Sequence, residues 1–237
     1  MATPGFPPGT LDESGFPVWS KELAGDDPNH LVHVVRDLVP RTALRVLGAE
    51  PDRIVPCVLP AARPDEWTSL PQAALGTDAP EDGTVLLAGR AGAWTFVYDD
   101  AGLTYAAGPD DIEAAAVLSA AGGVAAMANW TIDGDTGLDY GVDGMLVFST
   151  AEGIDPELDG DRLPAELRPA VDAAGFFDLA DLRASGLEDP DDGIDDIDEE
   201  YLDCGRNWRV VCALAGFRLT LDDLRRMPLL MAPREGN

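Results

Sequence analysis

Apolar and polar positions follow one another along this chain in short blocks divided by Gly, Pro and Asp, and the blocks predict strands interleaved with short helices. The Val-rich segment HLVHVVRDLVP (30–40) stops at Pro40 and predicts a strand, although it alternates less cleanly than a strand with one wet face. RTALRVL (41–47) follows as a short helix ending at Gly48. IVPCVLP (54–60) is apolar, but Pro56 and Pro60 argue against a central place in a sheet. Residues 60–83 are rich in Pro, Asp and Gly and predict a long loop with one helical turn near Trp67.

The pattern is clearest in the middle of the chain. TVLLAGRAGAWTFVYDDAGLTY (84–105) gives two apolar runs around GRAG and then a DDAG turn, which are hairpin signals. GPDDIEAAAVLSAAG (108–122) has Pro and acidic residues first, alanines in the middle and a glycine stop, as a helix should. GVAAMANWTIDG (123–134) and LDYGVDGMLVFSTAEG (138–153) each predict a strand. LPAELRPAVDAAGFF (163–177) predicts a helix with Pro164 near its first turn and Gly175 as its terminator. In NWRVVCALAGFRLTLDDLRR (207–226), a helix is expected to turn at Gly216. A shorter helix follows, opened by Thr220 with Asp223 three positions on, an acidic capping box.

These elements predict an α+β fold: an antiparallel or mixed central sheet packed with helices on one side, in a single compact domain over residues 29–226. Residues 1–28 read as an irregular, Pro-rich arm whose Phe6, Phe16 and Trp19 dock on the body. Residues 227–237, with Pro228 and Pro233, read as a fraying tail, and the acidic stretch 184–203 is expected to be mobile.

Charge narrows the classes of function. The 237 residues hold 44 Asp and Glu against 16 Lys and Arg, a net charge of −28, and Lys21 is the single lysine. Direct binding to nucleic acid is disfavoured, because affinity for that backbone comes from Lys and Arg neutralising phosphates. An anionic membrane surface is disfavoured on the same ground. A basic protein partner fits. No apolar run is long enough to cross a bilayer, the first residues lack a signal-like pattern, and three cysteines (Cys57, Cys204 and Cys212) suggest a reducing compartment. A cytoplasmic location is the expectation.

The charge is uneven. Ten acidic residues fall within the sixteen positions 188–203: Glu188, Asp189, Asp191, Asp192, Asp195, Asp196, Asp198, Glu199, Glu200 and Asp203. Like charges this dense repel one another, and a basic partner or a cation relieves the repulsion, so this run is the candidate binding patch. Asp155, Glu157, Asp159, Gly160 and Glu166 match positions 1, 3, 5, 6 and 12 of a calcium loop. Arg162 and Pro164 interrupt that match, and an ordinary turn serves as well. Asp133, Asp135, Asp139 and Asp143 form a second, poorer match without the glycine or the closing glutamate.

Catalytic signatures are missing. The histidines, His30 and His33, are three apart and point to opposite faces if extended. No cysteine pair completes a zinc site with them. Neither Ser119 nor Ser149 lies in G-x-S-x-G, and no phosphate loop or cofactor-binding motif occurs. Trp19, Trp67, Trp94 and Trp130 are candidate pocket or interface aromatics.

Taken in order, VVRDLVPRTALRVLGAE (34–50), AGAWTFVYDDAGL (91–103), the stretch from Asp110 to Thr150, the LPAELRPAVDAAGFF portion of 159–177, and CALAGFRLTLDDL (212–224) resemble a family of actinobacterial proteins known only as a domain of unknown function. The resemblance implies a Val-rich strand feeding a short helix and a Trp-bearing strand ending in an acidic turn; it carries across no catalytic residues and leaves function open. The leading expectation is a non-enzymatic domain acting through protein contacts. The alternatives are a hydrolase-type enzyme using Asp/Glu acid–base residues in a cleft near the Trp94 and Trp130 strands, and a DNA mimic or neutralising partner of a basic protein.

Overall fold

The strand β1, His30–Arg36, is buried along almost its whole length, including both histidines. Its imperfect alternation has a simple cause, since both faces of the sheet are covered. A computed structural model describes residues 5–25, 29–80, 82–107, 112–131, 136–150, 163–175, 203 and 205–236. Among these, β1 lies inside an eight-stranded sheet in which every pairing is antiparallel.

The other strands are β2 (Val55–Cys57), β3 (Gly83–Ala91), β4 (Trp94–Asp99), β7 (Val124–Trp130), β8 (Thr136–Val142), β9 (Met145–Ser149) and β10 (Leu229–Glu235). Their order across the sheet is β2-β10-β3-β4-β1-β7-β8-β9, and β5 (Ala106–Ala107) with β6 (Ile112–Glu113) makes a separate two-stranded ladder. The helices are α1 (Val18–Leu23), α2 (Pro40–Val46), α3 (Leu70–Leu75), α4 (Ala114–Gly122), α5 (Arg168–Ala174), α6 (Arg206–Ala215) and α7 (Leu221–Arg226). The chain is a single α+β domain, as the pattern predicts.

The helices divide between the two faces, where one side alone was expected. On one face Val32, Val34, Val85, Leu87, Phe96 and Tyr98 pack under α1, α6 and α7 through Trp19, Leu23, Trp208, Val211 and Leu224. On the other, Val35, Leu86, Ala88, Val97 and Ala125 pack under α2 and α4 through Ala43, Leu44, Ala114 and Leu118. Each Val, Leu or Phe among them, fully buried, contributes roughly 1.5–3 kcal/mol. Close approach of α4 to the sheet depends on Gly141 in β8, where a Cβ would collide with the Ala115 carbonyl and crowd the Ser119 hydroxyl.

Three segments differ from expectation. The C-terminal tail does not fray over Leu229–Glu235: β10 runs between β3 and β2, in register from Leu229↔Gly89 to Glu235↔Gly83. Pro233 is accommodated there facing Val85, beyond the Leu229–Met231 stretch that β2 pairs, so its missing N–H breaks no bond to β2. Within the predicted strand 138–153, the described residues to Ser149 form a hairpin, because Asp143 (φ 49°) and Gly144 (φ 86°) both adopt left-handed backbone and make a two-residue turn of the primed type. The N-terminal arm is partly helical, and its aromatics do dock: Phe6, Phe16 and Trp19 are all buried.

Other local expectations agree with the structure. The two prolines of 54–60 accompany an edge strand, Thr220 and Asp223 cap α7 reciprocally, and Gly175 and Gly216 follow α5 and α6. The helix near Trp67 begins three residues later, with Ser69 as its N-cap.

Candidate functional site

Where β4 ends, consecutive carboxylates enter the interior. Asp99 and Asp100 are both buried, with Ser69, Thr84, Thr104 and His33 around them, also buried. Asp99 Oδ2 accepts from the Thr104 backbone N–H (2.7 Å) and hydroxyl (2.6 Å), and Asp99 Oδ1 accepts from the Ala101 N–H (3.1 Å) and the Thr84 hydroxyl. Asp100 Oδ1 accepts from the Val85 N–H (2.7 Å) and lies 2.9 Å from Thr84 Oγ1, while Asp100 Oδ2 accepts from Ser69 Oγ at 2.5 Å. Ser69 Oγ itself accepts from the Gln72 N–H at 3.0 Å, so one hydroxyl caps α3 and grips a carboxylate.

Proton positions follow from counting. The Thr84 hydroxyl has one hydrogen and sits between two carboxylates, so both contacts are hydrogen bonds only when one of the two carboxylates carries a proton. Burial, reinforced by the neighbouring Asp99 charge, pushes Asp100 up to about 6, against the pull of the Ser69, Val85 and Thr84 bonds. At the other end of the network, Thr104 gives its proton to Asp99 and therefore accepts from His33 Nε2 at 2.8 Å. That makes His33 the Nε2–H tautomer. Burial holds His33 down to about 3, so the ring is neutral, and its Nδ1 has no partner among the described residues.

The network joins β1, β3, β4, the loop after β4 and the start of α3. Its members are sealed from solvent, and the arrangement fastens these elements together.

A second acidic group lies on the α4 face. Asp139 in β8 is buried and raised by desolvation and by the Glu113 carboxylate, partly offset by a bond to Ser149. Its Oδ2 has no partner among the described residues. Tyr105 is also raised, first by burial and then by Asp139 and Glu113. Asp143, which shares the poorer calcium-like pattern, is exposed in the β8–β9 turn, apart from buried Asp139; Asp133 and Asp135 lie outside the described residues.

Of the candidate acidic patch, Asp203 alone is described, and it is no solvated charge. It is buried against Arg209, whose guanidinium also donates to the carbonyls of Gly15 (3.0 Å) and Ala174 (2.8 Å). Glu188, Asp189, Asp191, Asp192, Asp195, Asp196, Asp198, Glu199 and Glu200 lie outside the described residues, as do Asp155, Glu157 and Asp159. Glu166 is exposed just before α5. Among the described residues no three His, Cys, Asp or Glu side chains stand close enough to hold a metal ion.

The aromatic candidates separate. Trp19 is in the core, edge-on to Phe217 at 5.1 Å and to Tyr98 at 6.0 Å. Trp67 is 67% exposed in its loop. Trp94 pairs with Arg36 at one end of β1, and Trp130 pairs with His30 at the other. Six residues of strand separate them, about 20 Å, so the two do not line one cleft. His30 packs among Trp208 (5.0 Å), Trp130 (5.5 Å) and Tyr98 (6.0 Å), on the face opposite His33, as an extended backbone requires. Cys57 and Cys212 are buried, and burial raises both thiols, Cys57 up to about 11.

Sequence reasoning missed Asp99, Asp100, Ser69, Thr84, Thr104 and the Asp203–Arg209 pair. The signal at 99–100 read as a turn, and nothing in spacing distinguishes a buried Asp–Asp step from an exposed one. No helix among the described residues is long and apolar enough to cross a membrane. No protein-family model matches the chain, and neither a curated protein nor a solved structure shows significant similarity to it.

Proposed function

We propose that this domain works without catalysis, by presenting an acidic surface to a basic protein partner. The net charge of −28 carries the reading, since such an excess of carboxylates attracts cationic surfaces and repels polyanions. The enclosure of the groups suited to chemistry supports it. His33, Asp99, Asp100, Cys57 and Cys212 are buried, and the thiols are shifted away from the reactive thiolate. The test is binding of purified basic and acidic proteins of matched size at low and high salt. Retention of the basic set alone, weakening by about tenfold or more as salt rises past the screening regime, is the expected result. Retention of neither set at either salt ends this reading.

A second reading, acid–base chemistry, is favoured by one arrangement: burial pushes Asp100 up to about 6, and Ser69 Oγ lies 2.5 Å from its carboxyl. It requires hydrolysis of an ester or glycoside by the purified protein that Asp100→Asn abolishes while the fold is kept.

A further inference from the structure

The two edges of the main sheet are built differently. At one edge β2 is three residues long and contains Pro56, which offers no N–H. Shortness and proline are the usual protections of an edge against further pairing. At the other edge β9 reads MLVFS, with neither proline nor charge. Among the described residues it pairs with β8 alone, through a register shift at Tyr140/Gly141. Met145, Leu146 and Val147 are 66%, 36% and 48% exposed, three consecutive apolar side chains on a strand whose neighbour Phe148 is buried.

We infer that β9 is a docking edge for an extended segment of a cationic protein, which adds to the sheet as a further antiparallel or parallel strand. Backbone pairing supplies the register, and Met145, Leu146 and Val147 offer apolar contact to alternate side chains of the incoming strand. Charge selects the occupant. Exposed Asp143 stands in the turn that opens β9, so Lys or Arg at that end of the incoming segment is favoured. A second copy is the poorer fit, because it brings another −28 to a surface already negative. This inference rests on the proposed acidic-surface function and names where the partner is held.

The test uses the full chain, isotope-labelled, with two synthetic peptides, KKVTVTVKK and EEVTVTVEE. The cationic peptide is expected to shift the backbone resonances of residues 145–149 and to slow their amide exchange by about tenfold, and the anionic one to do neither. Met145→Lys combined with Val147→Lys, at exposed positions, is expected to remove the effect with the melting temperature kept. If that variant fails to fold, the two peptides on the unsubstituted protein still decide. Unmoved 145–149 resonances, equal shifts with both peptides, or amides already protected in the free monomer overturn the inference. A dimer with protected 145–149 amides overturns it too, assigning the edge to a second copy. Retention of basic proteins by the double variant, at the parent's strength, sinks the edge assignment and leaves the acidic-surface function standing; retention by neither protein sinks that function itself.

Discussion

Arg209 and Asp203 meet through two parallel contacts, Nη1 to Oδ1 at 2.7 Å and Nη2 to Oδ2 at 2.5 Å, with the two side chains 0% and 2% exposed. The same guanidinium holds Gly15 of the N-terminal arm and Ala174 at the end of α5. One planar group thus ties three distant parts of the chain to a single carboxylate, a geometry that suits arginine and that lysine cannot reproduce.

Removing one partner leaves the other charge buried. Arg209→Met is expected to lower the stability to urea by roughly 3–5 kcal/mol. Replacing both residues with apolar ones of similar volume is expected to recover part of that loss. A single variant as stable as the parent contradicts the pairing.

Opposed titrations govern the pH response. Asp100 lies at about 6 in the folded protein against an ordinary 3.8, so its contribution is complete below pH 3.8 and is lost as pH rises through 6. His33 lies at about 3 against 6.5; its contribution is complete above pH 6.5 and is lost as pH falls toward 3. Between pH 3.8 and 6 the two slopes oppose. Asp100→Asn leaves the His33 slope alone, so its urea midpoint is expected to climb from pH 4 to pH 6 more steeply than the parent's. Parallel profiles for the two proteins rule this out.

The arm is part of the core. Trp19→Ala is expected to cost about 3–5 kcal/mol, as emptying an aromatic core site does. Trp67→Ala, in its exposed loop, is expected to stay within about 0.5 kcal/mol. Comparing the two melting curves checks both.

Truncation after Met227 separates a strand from a tail. Losing β10 strips β3 and β2 of their shared neighbour and removes Leu229, Met231 and Ala232 from the core, so the shortened chain is expected not to fold. A soluble product with the parent's circular dichroism and melting temperature contradicts the internal position of β10.

Local chemistry was legible where one short stretch decides the outcome. Thr220 with Asp223, Gly175, Gly216 and the Pro-interrupted edge all act within a few residues, and each stands where the pattern put it. The Asp143–Gly144 turn was equally local, but the apolar residues on both sides disguised it as one strand. The candidate site was not legible. Asp99 and Asp100 look like turn residues until Ser69, Thr84 and Thr104, far off in sequence, close around them.

The α+β class, most of the strands and helices and the net charge of −28 follow from the order of residues, because periodicity, caps and composition are properties of neighbours. Tertiary structure alone decided that β10 enters the sheet, that Trp19 fills its core and that helices cover both faces. It also decided which carboxylates leave the water. For Asp99, Asp100, Asp139 and Asp203 that choice depends on partners brought together from across the chain, and burial of a charge is set by what surrounds it rather than by what precedes it.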